Sequence, residues 1–183
     1  MRTFVVIAMA VGLPAAVAAR QNNPLAGELR GDYTTIRDYV VRAAEKMPET
    51  KYAFRPSPDV RTFAQQIAHV ADDQYNLCAP ARGESRKAPY TDIENRLSTK
   101  AALVPALKQA FAYCDVAYDA LTDAAAAQKP FGGQRATKFG ALNWNLWHTW
   151  EHYGNMVVYL RMNGLVPPSS ERMKMGPAAP PGR

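Results

Sequence analysis

TFAQQIAHVA, residues 62–71, is the stretch that decides the fold. It begins with a capping box, in which the side chains of Thr62 and Gln65 each bond to the other residue's backbone N–H. Apolar residues then recur at helical spacing until Pro80. They are Phe63, Ile67, Val70, Ala71 and Leu77. This pattern predicts a helix that carries His69 near its middle.

Two flanking segments show the same periodicity. Asn23 and Pro24 are typical of an N-cap and a first helical position, and the apolar period that follows ends before Pro48. The last segment runs from about Phe139 to Asn163 and is followed by glycine and a proline pair. Both segments are predicted to be helices.

A third predicted helix follows a polar, irregular connection over residues 81–97. Ser98 or Thr99 is its expected N-cap, and Pro105 is expected to kink the helix or delay its start. The sequence has no strand-period run of useful length. We therefore predict an all-α protein, a four-helix bundle over residues 23–166.

The two cysteines indicate whether the second and third predicted helices are parallel or antiparallel. Cys78 and Cys114 each lie 16 residues past a predicted cap, at Thr62 and Ser98. An antiparallel pair would place them near opposite ends of helices roughly 24 Å long, far beyond the ~7 Å Cα limit of a disulfide. Parallel helices would place the two cysteines at the same height along the bundle, and the long connection can reach back to the start of the third helix. We hypothesise a disulfide between parallel helices; two buried free thiols are the alternative.

The two ends of the chain are expected to lie outside the bundle. Residues 1–19 combine Arg2, an apolar run and small residues before Ala19, which is typical of a secretory signal; a buried N-terminal helix is the alternative. We expect an exported protein, periplasmic or secreted, with no stable membrane anchor after cleavage. Residues 167–183 are rich in proline and are expected to form a flexible tail.

Composition excludes several classes of protein. The 183 residues are 48% apolar and 21% charged, with a formal net charge of +6, which suits one globular domain. The basic residues are scattered and form no helix face of the kind that binds nucleic acid, so we expect no nucleic-acid partner. An exposed apolar helix face could support a homodimer.

All three histidines of the chain fall inside predicted helices: His69, His148 and His152. The last two are four residues apart, so they share one helix face and could bind one metal ion. Three imidazoles suit a divalent transition metal, with zinc or nickel favoured, and leave a coordination position open for water or substrate. The alternative is three histidines packed in a core without metal.

Two carboxylates are candidates for chemistry beside this site. Asp73 lies four residues after His69, and Glu151 lies between His148 and His152. Either could orient a ligand imidazole or act as a general base. The alternative for each is a solvated residue on the shoulder of its helix.

Residues 148–152 also match the H-x-x-E-H pattern of inverted zinc metallopeptidases. Those enzymes take a third ligand from a downstream carboxylate, and Glu171 is the one acidic residue that follows. We interpret the five-residue match as coincidence.

Three segments resemble a known family, the DinB-like bundles, which are also grouped with YfiT-like proteins. They are RTFAQQIAHVAD at 61–72, WHTWEHYGN at 147–155 and YLRMNGLVPP at 159–168. Their order and separation add to the specificity of the histidine-bearing segments.

This resemblance implies an up-down-down-up bundle with a metal held by His69, His148 and His152. Characterised relatives include metal-dependent transferases and isomerases that use low-molecular-weight thiols such as mycothiol or bacillithiol. Two features depart from the family: Pro105 inside a helix, and a signal at 1–19 that would separate the protein from the cytoplasmic thiol pool.

We therefore expect an exported metal-binding protein that acts on a small molecule, either as a hydrolase or as a thiol-transferase-like enzyme. The alternative function is a non-catalytic helical module that holds a metal or a small ligand.

Overall fold

The computed structural model describes residues 23–85, 92–132 and 135–174, and all regular secondary structure in these ranges is helical. The predicted signal peptide, residues 1–19, and the end of the predicted tail, residues 175–183, lie outside the described residues. The helices are α1 (Pro24–Lys46), α2 (Phe63–Arg82), α3 (Ile93–Arg96), α4 (Lys100–Ala120), α5 (Asp123–Ala126), α6 (Lys138–Met162) and α7 (Pro168–Lys174), with a 3-10 turn at Glu49–Lys51.

The four long helices pack around one apolar core, which confirms the all-α prediction. Helix α2 lies against α4 and α6, and α1 lies against the same two helices. Each long helix contributes fully buried side chains to the centre, for example Ile36, Ile67, Leu107 and Met156. None of the described helices is long and apolar enough to cross a membrane.

Threonine side chains cap the N-termini of three of the four long helices. The predicted capping box is present: Thr62 Oγ1 accepts from Gln65 N at 3.2 Å, and Thr62 N donates to Gln65 Oε1 at 2.9 Å. Thr99 caps α4, and Thr137 caps α6 through Gly140 N at 2.9 Å. The predicted helix starts are therefore correct to within one residue.

Helix α1 is capped from a distance. The predicted N-cap residue, Asn23, makes no side-chain bond to its own helix; its Oδ1 accepts from Asp123 N. The Asp123 carboxylate accepts from Leu25 N at 3.3 Å and from Ala26 N at 2.8 Å. A carboxylate is favoured at a helix N-terminus, and the one used here lies almost a hundred residues away in the chain.

Pro105 neither delays nor ends α4, which begins at Lys100 and continues to Ala120. A residue with an N–H at position 105 would donate to the carbonyl of Ala101, in the first turn. Both residues are exposed, so water can solvate that carbonyl and the cost of the missing bond is low.

The predicted flexible tail contains a helix. Residues Pro168–Lys174 form α7 instead of an extended segment. The carboxylate of Glu171 pairs with Arg42 and Lys46 of α1, which ties α7 to the bundle. Composition does not show a contact with a distant helix, and it therefore indicated a loose tail.

A disulfide joins Cys78 of α2 to Cys114 of α4, with a Cα–Cα distance of 5.4 Å. This is the pairing that the sequence predicted. Both residues are fully buried, and the neighbouring rings of Tyr75 and Tyr113 lie 4.9 Å apart. The disulfide therefore cross-links the two central helices inside the core.

Replacing both cysteines by alanine should lower the free energy of unfolding by about 3–4 kcal/mol, because the disulfide closes a loop of 36 residues. Urea unfolding of Cys78→Ala/Cys114→Ala beside wild type measures this loss. Wild type unfolded in the presence of a reductant is the control and should lose a similar amount. Equal urea midpoints for the oxidised wild type and the double variant would contradict a stabilising cross-link.

Candidate metal centre

The packing of α2 against α6 brings the three histidines together. His69 comes from α2, and His148 and His152 come from adjacent turns of α6. The ring centroids lie 4.6 Å apart for His69–His152, 4.5 Å for His148–His152 and 5.6 Å for His69–His148. The residues predicted as ligands therefore form one cluster.

The spacing of the two α6 histidines suits a shared metal ion. His148 Nε2 and His152 Nε2 are 3.1 Å apart. Two imidazole nitrogens on one ion, with bonds of about 2.0–2.1 Å, are separated by about 2.8–3.4 Å in octahedral (cis) or tetrahedral geometry. The spacing of the pair therefore suits a chelate.

Asp73 lies beside the three histidines. Its Oδ2 is 3.0 Å from His69 Nε2 and 3.5 Å from His148 Nδ1. One donor atom from each of the four residues His69, Asp73, His148 and His152 lies within 4.8 Å of the others. The donor set is three nitrogens and one carboxylate oxygen, which fits a divalent transition metal.

Hydrogen bonds at the opposite ring nitrogens hold two of the imidazoles in position. His152 Nδ1 lies 2.9 Å from Gln66 Oε1, and His69 Nδ1 lies 3.2 Å from Glu94 Oε2. Both oxygens are acceptors, so a proton on each Nδ1 leaves the Nε2 of that ring to face the centre. Such partners are typical of metal-ligating histidines.

Glu94 is held by a buried carboxylate. Asp72 Oδ1 accepts from the backbone N–H groups of Asp92 and Ile93, both at 3.1 Å, and its Oδ2 accepts from Glu94 N at 3.0 Å. The second oxygen of Glu94 accepts from Arg61 Nε at 2.8 Å. Asp72 thus anchors the start of α3 and places Glu94 against His69.

Gln66 and Glu94 are the site residues that sequence reasoning missed. Gln66 had a usable signal, because it lies three residues before His69 on the same helix. Glu94 had none, because it lies in the connection that was predicted to be irregular and is instead part of the single turn α3.

Burial and hydrogen bonding set the charges of the cluster. Burial lowers the pKa of His148, and it lowers the pKa of His152 to about 3. Burial works to raise the pKa of Asp73, but the hydrogen bond with His69 and the charges of the three histidines together outweigh it, and the net shift is downward. The hydrogen bond to Asp73 raises the pKa of His69 against the effect of burial. Two imidazoles are thus held neutral and the carboxylate ionised, the states that bind metal.

The predicted carboxylates lie in different places. Asp73 is inside the cluster, whereas Glu151 is exposed and lines a groove beside His152. Glu171, the acidic residue that the metallopeptidase pattern would need, pairs with Arg42 and Lys46 instead. It is not part of the cluster, which supports the interpretation of that pattern as coincidence.

Comparison with known proteins gives a family and a fold. The family model of the DinB superfamily matches residues 32–156, which include all four residues of the cluster. The crystal structure of a DinB-like protein from Bacillus cereus ATCC 10987 is similar, with a TM-score of 0.65 and 14% identity. The match covers 76% of this chain and 93% of that chain. At this identity the likeness supports the fold alone. No curated protein matches the chain.

Asp72→Ala should destabilise the protein by about 1–3 kcal/mol, because three backbone N–H groups lose their acceptor. It should also weaken metal binding, since Glu94 would no longer be held against His69. Urea unfolding and zinc titration measure the two effects.

Asp38→Ala is the matched control, because Asp38 makes an exposed ion pair with Arg42 on α1. Such a pair contributes about 0–1 kcal/mol. If the Asp72 variant loses no more stability than this control, Asp72 does not anchor α3.

Proposed function

The chain belongs to the DinB superfamily, and we propose that it is a metal-binding protein with a centre formed by His69, Asp73, His148 and His152. The observation that carries this proposal is the convergence of four donor atoms within 4.8 Å. Three nitrogens and one oxygen favour zinc or nickel over calcium or magnesium, which prefer oxygen ligands.

We propose the up-down-down-up order for the four long helices. The carboxyl ends of α1 and α6 are adjacent, since Lys46 Nζ donates to Val166 O at 3.0 Å. The disulfide lies near the carboxyl ends of both α2 and α4, which supports a parallel pair. The Tyr118 hydroxyl near the end of α4 donates to Leu142 O near the start of α6, which supports opposite directions for the two pairs.

The function that the site supports best is a reaction in which water or a small nucleophile such as a thiol is activated, as in a hydrolase or a thiol transferase. A divalent transition metal would supply Lewis-acid chemistry at this centre. Gln66 and Glu94 hold the imidazoles in orientation, and Asp73 acts as the fourth protein ligand. Glu151, exposed beside His152, is the proposed general base because it can accept a proton on the groove side.

A second candidate function is a non-catalytic module that holds a metal or a small ligand. The presence of Asp73 in the cluster favours it, since four protein donors complete a tetrahedral zinc site. An ion that accepts five or six ligands would keep positions open with the same donors. Turnover of a substrate separates the two candidates.

We further propose that the protein works outside the cytoplasm. The signal-like pattern of residues 1–19 supports export, and the buried Cys78–Cys114 disulfide suits an oxidising compartment. Intact-mass measurement of the protein recovered from its own cells should find a chain that lacks residues 1–19. A cytoplasmic chain of full length would contradict export.

Protein purified without a histidine tag or chelator should contain about one transition-metal ion per chain by elemental analysis. His148→Ala should lose most of it, because the chelating pair of α6 is broken. Asp73→Asn should bind metal more weakly than wild type. Asn155→Ala, an exposed change one turn beyond His152, is the control and should keep the full content. Wild-type protein that takes up neither zinc nor nickel would refute the centre.

Glu151→Gln should keep its metal and lose activity by roughly 10²–10⁴-fold if Glu151 is the general base. The readout is a panel of ester and thiol-transfer substrates assayed with the metal-loaded protein. The exposed Glu28→Gln change on α1 is the control and should leave rates unchanged. Equal rates for wild type and Glu151→Gln would remove this role, and no turnover by any form would favour the binding module.

A further inference from the structure

A groove of about 620 Å³ opens beside the proposed metal centre. His152, Gln66 and Glu94 belong both to the centre and to the groove wall, so a molecule in the groove lies next to the ligands. The volume falls within the range of about 300–1,000 Å³ that is typical of small-molecule sites. The inference below rests on the proposed function, because it concerns the substrate of that same centre.

Arg61 is the one cationic side chain among the described residues that line this groove. Its Nε donates to Glu94 Oε1 at 2.8 Å, and its backbone carbonyl accepts from the Tyr159 hydroxyl. The side chain is 39% exposed. Within the part of the chain that the structure describes, its two Nη groups have no hydrogen-bond partner. The guanidinium is therefore fixed at one edge and free to donate from the other.

Glu94 connects this guanidinium to the metal centre. One of its oxygens accepts from Arg61, and the other lies 3.2 Å from His69 Nδ1. The cation is thus one carboxylate away from a ligand imidazole. A small molecule that contacts Arg61 can reach the centre without leaving the groove.

The remaining groove walls restrict the ligand further. Asp59, Glu94 and Glu151 place three carboxylates along the groove, which opposes a ligand with several negative charges. Val60 and Val158 add apolar surface suited to a carbon chain. A single carboxylate matches the planar fork of a guanidinium, with two parallel N–H···O bonds.

We propose that Arg61 binds the carboxylate group of a small organic substrate and directs the substrate's reactive end to the metal centre. Arg61 is the specificity residue of the groove, and the substrate class is a monocarboxylate with an apolar body.

Protein-observed NMR titration of the zinc-loaded full chain tests this, with hexanoate, hexanamide and hexyl phosphate as probes. Hexanoate should give saturable shifts at residues of the groove. Hexanamide, which lacks the charge, and hexyl phosphate, which carries more of it, should bind at least several-fold more weakly. Tighter binding of hexyl phosphate would overturn the assignment to carboxylates.

Arg61→Gln should weaken hexanoate binding by at least tenfold, whereas Arg61→Lys should retain part of it because the charge remains. Arg55→Gln is the matched control: Arg55 is exposed near the groove and donates to Pro58 O, and this change should leave hexanoate binding unaltered. Equal hexanoate affinity in wild type and Arg61→Gln would overturn the proposal, because the probe would then be bound without Arg61.

The zinc content of each sample separates the two proposals. Zinc bound without Arg61-dependent hexanoate binding would refute the role of Arg61 and leave the metal centre intact. Hexanoate binding that depends on Arg61 in a chain that takes up no zinc would refute the metal centre and support the role of Arg61.

Discussion

The register between α2 and α6 is the constraint on which the candidate site depends, and a buried polar network sets it. Asn145 is fully buried, and its Nδ2 donates to Gln74 Oε1 at 3.1 Å while its Oδ1 accepts from the Tyr118 hydroxyl at 2.9 Å. Gln74 Nε2 in turn donates to Thr149 Oγ1 at 3.2 Å. A buried polar group left without a partner costs about 1–3 kcal/mol. Sliding α2 along α6 would break several of these bonds at once, so a single register is strongly favoured.

The histidine cluster inherits its geometry from this register. Thr149 directly follows His148 in the chain, and Gln74 directly follows Asp73. A slip of one residue between the helices would move the facing side chains by about 1.5 Å, whereas metal–ligand distances tolerate only about 0.2 Å. The buried network therefore fixes the position of α2 against α6, and the spacing of the histidine cluster depends on that position.

Local patterns explain what could be predicted. The capping box at Thr62 and the four-residue spacing of His148 and His152 depend only on near neighbours in the sequence, and both helices formed as expected. Long-range contacts explain what could not. The cap of α1 comes from Asp123, and α7 is tied down because its Glu171 pairs with Arg42 and Lys46 of α1, so each feature depends on residues far away in the chain.

Asp73 and Glu94 show the same limit within the site. Helical spacing placed Asp73 near His69, but only the packing of α6 brings His148 to it and so completes the four-residue cluster. Glu94 lies 25 residues beyond His69 and reaches it because Asp72 anchors α3. Periodicity identifies which residues share a helix face, whereas contacts between segments decide which of them share a function.

The long connection between α2 and α4 is therefore part of the site as well as a link. Its last turn supplies Glu94. One oxygen of Glu94 lies against His69 Nδ1, and the other accepts from Arg61 Nε. The orientation of the His69 imidazole and the position of Arg61 are thus coupled through one carboxylate. Any displacement of α3 would change both together, so the connection links the proposed metal centre to the groove that would hold its substrate.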